Sequence, residues 1–235
     1  MRASFALSLF IILFVAVSGA WGGAITIQNP SFESPSCGTS GPAYCAPADW
    51  VLTDSIPADG GGDAEAFMPE AGVWNSIPNG SQVGYSNGPG DSLSQVLTGN
   101  SVVANTTYTL SVWVSEQGDI PSTFSPVIEL LAGSYTLIDL TAANPEGNVA
   151  PTQPGGAGTP YTWVDWTGTY TSGASGGAIG QTLKIYLSAG GIQTDYDELS
   201  LNASPDSPGG VPEPAVFALV GAGLLGLVTR RRFAK

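Results

Sequence analysis

The sequence predicts an all-β fold, two antiparallel sheets packed face to face, and three observations carry that expectation. Short runs alternate apolar and polar residues with the period of two that half-buried strands show. The 32 Gly and 18 Pro in 235 residues supply turn chemistry at short intervals, as all-β sandwiches need. No long amphipathic helix is evident in the body of the chain.

The chain opens on a targeting pattern rather than on structure. Arg2 gives a small positive region, Phe5 to Val17 form an apolar core, and Ser18-Gly19-Ala20 offers small residues for a signal peptidase. A signal peptide over residues 1–24 is expected, cut after Ala20 or Ala24.

The body spans residues 25–201. "AITIQNPSFE" sets Ile25 and Ile27 against Thr26 and Gln28 and reads as the opening strand. Residues 34 to 80 are rich in Gly, Pro, Asp and Ser and read as a long irregular stretch. Within it "ADGGGDAE" is an acidic loop, and Trp50, Val51 and Leu52 are a buried insertion. "SQVGYS" and "DSLSQVLT" follow as strands. "TYTLSVWV" is the clearest: Tyr108, Leu110, Val112 and Val114 share one face, opposite Thr107, Thr109, Ser111 and Trp113. "SPVIELLAGSYTLIDL" forms a hairpin turning at Gly133-Ser134. Asn144 to Pro160 is a surface loop, and "WVDWTGTYT" is a strand. In "TLKIYLS", Leu183, Ile185 and Leu187 face the core, with Lys184, Tyr186 and Ser188 outward. "YDELSL" closes the body. Roughly eight short strands with Gly-rich turns imply two packed sheets. Residues 202–210, "NASPDSPGG", read as a linker.

Charge and residue types narrow the chemistry. Of six basic residues, only Lys184 lies between the signal and the extreme C-terminus, and 19 are acidic. Nucleic acid is excluded as a partner, because phosphate binding needs a basic patch. The chain has no His, which removes Ser-His-Asp and Cys-His catalysis. A glycosidase-type carboxylate pair is numerically easy, but no motif singles one out. Cys37 and Cys45, the only cysteines, are expected to close a small disulfide loop in an oxidising compartment.

The tail, residues 211–235, carries the most specific pattern. Pro212 and Pro214 keep Val211-Pro212-Glu213-Pro214 extended. Ala215 to Thr229 then run without charge for 15 residues. As a helix this segment reaches about 22 Å against a hydrocarbon core of ~30 Å, a marginal transmembrane segment. Arg230, Arg231 and Arg232 would hold the far end on the cytoplasmic side. These three parts in order resemble the PEP-CTERM sorting signal of Gram-negative bacteria. The resemblance implies an exosortase as processing partner, a transient inner-membrane intermediate, and delivery to the cell surface or extracellular matrix.

The body is similar to the galactose-binding-like jelly roll of many carbohydrate-binding modules. "NPSFE", "ADW", "YTLSVWV", the Trp163–Tyr170 run "WVDWTGTY" and "YDELSL" carry the likeness. The resemblance implies a structural calcium (Ca2+) between first and last strands, with Glu33 and Asp197 as matching carboxylates and Asp195 assisting. It also implies polysaccharide as a ligand. Aromatic faces stack on sugar rings, which makes Trp113 and Tyr186 candidates, with Trp74 and Trp163 on the loop side. The expectation is an exported, non-catalytic β-sandwich, binding carbohydrate or exopolysaccharide or serving as a matrix or adhesion scaffold.

Overall fold

The computed structural model describes residues 22–53, 64–116, 125–140, 160–190 and 193–206. Residues 1–21 of the expected signal peptide, most of the 144–160 loop and the whole sorting tail lie outside them. Twelve strands are present among the described residues: β1 Gly23–Ile25, β2 Ala43–Cys45, β3 Val51–Thr53, β4 Ala64–Met68, β5 Val83–Ser86, β6 Ser92–Ser101, β7 Thr106–Glu116, β8 Pro126–Ala132, β9 Tyr135–Asp139, β10 Val164–Thr171, β11 Thr182–Ala189 and β12 Thr194–Pro205. They form an antiparallel jelly-roll sandwich. One sheet runs β10-β7-β12-β5-β4-β2 with β1 added along β12, and the other runs β3-β6-β11-β8-β9.

The core is built as the alternation requires. Tyr108, Leu110, Val112 and Val114 of β7 are buried, and they meet Leu183, Ile185 and Leu187 of β11 across the space between the sheets. Removing these side chains from water supplies the main stabilisation, on the order of 25 cal/mol per Å² of apolar area. β12 adds Tyr196, Leu199 and Leu201 to the same core. The β8–β9 hairpin turns where expected, with Gly133 at φ 59°, a left-handed conformation that glycine adopts at no steric cost.

The structure corrects three expectations. Residues 34 to 80 hold β2, β3 and β4; each is at most five residues long, too short for alternation to stand out among Gly and Pro. Trp50 is buried and Leu52 packs partly buried against the core, but Val51 is 62% exposed. β12 runs on to Pro205, four residues into the stretch read as a linker, because β1 and β7 both pair with it there. The Cys37–Cys45 disulfide is formed, with Cα atoms 5.1 Å apart.

Phe32 of "NPSFE" explains why that motif matters. Its ring is fully buried, tilts against Trp50 at 5.1 Å, and lies directly on the backbone of Gly84 in β5. A Cβ at Gly84 would stand 2.6 Å from the ring. Gly84→Ala is therefore expected to destabilise the protein by about 1–3 kcal/mol in urea unfolding, the usual cost of overpacking; an unchanged midpoint would contradict this packing.

Candidate functional site: an aromatic cleft on the outer face

The outer face of the larger sheet carries the site. β7 lies between β10 and β12, and its ladder places Trp113 opposite Asp165 on one side and Asp197 on the other. Residues directly opposite share a face, so the indole stands in a row between two carboxylates. One step along the strands, Ser115, Asp195, Tyr85 and Glu65 form the next row. A second apolar cluster of Phe67, Trp74, Val83 and Tyr85 packs over this sheet, with Tyr161 and Trp163 against it.

Loop residues roof the face. A parallel bridge joins Trp74 to Tyr161, and the Tyr161 N–H donates to Val73 O at 3.0 Å. This brings Trp74 and Trp163 together, with ring centroids 5.0 Å apart. Trp74 donates from Nε1 to Ser115 Oγ at 2.7 Å and is itself buried. Beside it opens a cleft of about 480 Å³ lined by Trp113, Tyr161, Trp163, Glu198, Asn75 and Ser76. Trp163 Nε1 is buried and has no hydrogen-bond partner. A buried donor of this kind is normally satisfied.

Trp113 and Trp163 thus meet in one cleft. Trp74 forms the layer behind them, and Tyr161 was not singled out by the sequence. Its signal was weak, since one aromatic after a Gly- and Pro-rich run shows no strand alternation. Tyr186 does not join them. It lies on the outer face of the other sheet, opposite Ser94 and Glu129, with Lys184 Nζ 5.8 Å from its ring centroid.

The three acidic candidates divide between two tasks. Glu33 Oε1 accepts the N–H groups of Ser81 (2.8 Å) and Gln82 (2.7 Å), and Asp197 Oδ2 accepts that of Asn79 (2.7 Å). Asp197 Oδ1 accepts the N–H of Glu198 at 2.7 Å. Both carboxylates therefore anchor the loop that forms the cleft wall. Gly80 has to be glycine, because its φ is 68° and the Glu33 carboxylate lies where a Cβ would stand. Four amide hydrogens are aimed at these two carboxylates. Asp195 stands apart from both, accepting from Gln193 Nε2 at 2.7 Å. Among the described residues no three acidic or cysteine side chains converge as metal ligands.

Burial alters the acids. It pushes Asp195 well above the usual carboxylate range; the Gln193 hydrogen bond opposes this and the nearby Glu116 adds to it. Asp195 Oδ2 has no hydrogen-bond partner. Burial raises Asp197 to about 7, against the two backbone N–H groups of Asn79 and Glu198 and with the repulsion of Glu198 and Glu33.

The arrangement defines a class of protein, an antiparallel sandwich with an aromatic cleft on one sheet. Residues 23–202 match the HpiC1-like family, described as HpiC1 cyclase, and the chain belongs to that family. Residues 210–232 match the PEP-CTERM protein-sorting motif. No curated protein matches the chain in sequence. The Stig cyclase Fisc from Fischerella sp. TAU, solved with (3Z)-3-(1-methyl-2-pyrrolidinylidene)-3H-indole, is similar with a TM-score of 0.62 and 22% identity, covering 79% of this chain and 100% of that one. A cyclase from Fischerella sp. TAU in complex with 4-(1H-indol-3-yl)butan-2-one gives 0.60 at 23% identity, over 79% and 99%. At this identity the likeness concerns the fold. Carbohydrate-binding modules stand further off: the CBM22-1 xylan-binding domain of Paenibacillus barcinonensis Xyn10C gives 0.40 at 14% identity, over 72% and 100%.

The raised acids fix the sign of a pH dependence. Asp197 binds its proton more tightly folded than unfolded, where the value is about 3.9. Its contribution to stability is complete below that value and is lost as pH rises toward about 7. The melting temperature is expected to fall across this window, and Asp197→Asn should flatten the fall. A variant whose melting profile parallels the parent's would show that Asp197 is not the group titrating.

Proposed function

We propose that the chain is an exported, non-catalytic binding protein that uses the Trp113 cleft to hold carbohydrate. Its tail directs it to an exosortase, through a transient inner-membrane intermediate, to the surface or extracellular polymer matrix of a Gram-negative bacterium. One observation carries the binding reading: the rings of Trp113, Tyr161 and Trp163 line one open cleft. Sugar rings present flat C–H faces to aromatic rings and hydroxyl oxygens to donors. The tail match over 210–232 supports the sorting reading. Of the two cleavage points expected for the signal, the one after Ala20 keeps β1 whole. Cleavage after Ala24 would remove Gly23 and Ala24, which pair with Ala203 and Asn202.

A second reading follows from the family description and from Asp195. A carboxyl kept protonated by burial can serve as a general acid, and the family is described as a cyclase. In this chain, however, Asp195 has no exposed surface and does not line the cleft. Catalysis on an indole, as a ligand of the Fischerella type would offer, requires the packing around Asp195 to open.

A glycan array with the parent chain and Trp113→Ala tests the proposal. Selective binding by the parent, weakened at least about tenfold in the variant, a loss of about 1.4 kcal/mol, is expected. Uniform silence would leave a matrix or adhesion scaffold instead. Rearrangement of an added indole compound, lost in Asp195→Asn, would replace binding with catalysis.

A further inference from the structure

The cleft's electrostatics point to a narrower ligand class than carbohydrate in general. Trp113 has an acidic side chain on each side in its row, exposed Asp165 from β10 and fully buried Asp197 from β12, so Asp165 and Glu198 are the acids a ligand can meet. Glu198 follows Asp197 at a break in the β12 register, where its own φ is 46°, and lines the cleft as an exposed side chain. The left-handed turn is held on both sides: Asp197 Oδ1 accepts the Glu198 N–H, and the Leu199 N–H donates to Pro30 O at 3.0 Å. Such a conformation is uncommon for a residue with a side chain, and here it sets a carboxylate beside three aromatic rings.

Among the described residues no cation balances these charges nearby. Lys184, the single basic residue between the signal and the tail, lies on the outer face of the opposite sheet, over Tyr186. A cleft with low-dielectric walls and one sign of charge concentrates counter-ions of the other sign. The negative π faces of indole and phenol rings attract an ammonium in the same sense. An anionic polysaccharide would be repelled, and a neutral one would leave Glu198 without a charged partner. Asn75 and Ser76, which also line the cleft, offer polar groups to a ligand's hydroxyls. A ligand that offers a flat ring, hydroxyl or ether oxygens and an ammonium together is an amino sugar with its amine free.

We propose that the cleft selects polysaccharide bearing unacetylated amino groups, with Glu198 receiving the ammonium and the Trp113, Tyr161 and Trp163 faces receiving the rings. This rests on the cleft being a carbohydrate site, and the test separates the two ideas. Isothermal titration of the full chain in detergent micelles would compare β-1,4-linked glucosamine oligomers with N-acetylglucosamine oligomers of equal length, below the pKa of the free amine.

The expected result is a preference of about tenfold or more for the deacetylated oligomer, weakening with added salt as exposed charge attraction does. Glu198→Gln should bring the ratio of the two affinities toward one, and Trp113→Ala should weaken both. Equal affinities, both dependent on Trp113, would overturn the charge preference and leave the cleft as a neutral-sugar site. Binding of the deacetylated oligomer that survives Trp113→Ala would overturn it in another way, assigning the attraction to the acidic surface at large. Absence of binding by either oligomer would remove this inference, and a silent glycan array would remove the carbohydrate reading as well.

Discussion

The structure depends on β12 being the interior strand of the larger sheet. β7 pairs with one edge along most of its length, while β5 and then β1 share the other edge. Without β12 the sheet separates into β10–β7 on one side and β5–β4–β2 on the other, and β1 has nothing to pair with. The strand also serves both faces. Tyr196, Leu199 and Leu201 enter the core, while Asp195 and Asp197 lie on the outer face behind the cleft. The last of the described strands therefore determines whether the sandwich closes and whether the site forms.

That placement ties folding to sorting. The sandwich cannot be completed until the chain through Pro205 has been delivered, and the sorting motif begins only a few residues later, at 210. Within the proposed route, a tail held in the membrane keeps β12 on the outer side while it inserts between β7 and β5. The acidic body is then released into a polymer matrix with its cleft already assembled. Strong like charge keeps such a body self-repelling; in the cleft, Glu198 and the row around Trp113 place that charge beside aromatic rings.

Much of this was legible in the sequence where alternation runs long enough. β7 and β11 could be assigned face by face, and the disulfide followed from two cysteines in an exported context. The tail was legible because proline, apolar and arginine segments fall in a fixed order. What escaped detection lies where local pattern is short or where meaning comes from pairing. β2, β3 and β4 are brief and embedded in turn-rich sequence. Trp113 and Tyr186 both read as outward-facing aromatics, yet they belong to different sheets, which alternation does not reveal. Glu33 and Asp197 were paired in the expectation of a shared calcium ion. Their partners, the amides of Asn79, Ser81 and Gln82, are supplied by a distant loop that sequence spacing does not connect to them.

The central claim is that one face of one sheet, centred on Trp113, receives the ligand. Tryptophan indole N–H resonances in a two-dimensional NMR titration report on it directly, since each indole gives its own signal. On addition of a bound oligosaccharide, the Trp113 and Trp163 signals should move together, while Trp50 and Trp166, buried in the main core, stay in place. Binding that leaves the Trp113 and Trp163 signals unmoved would contradict the account.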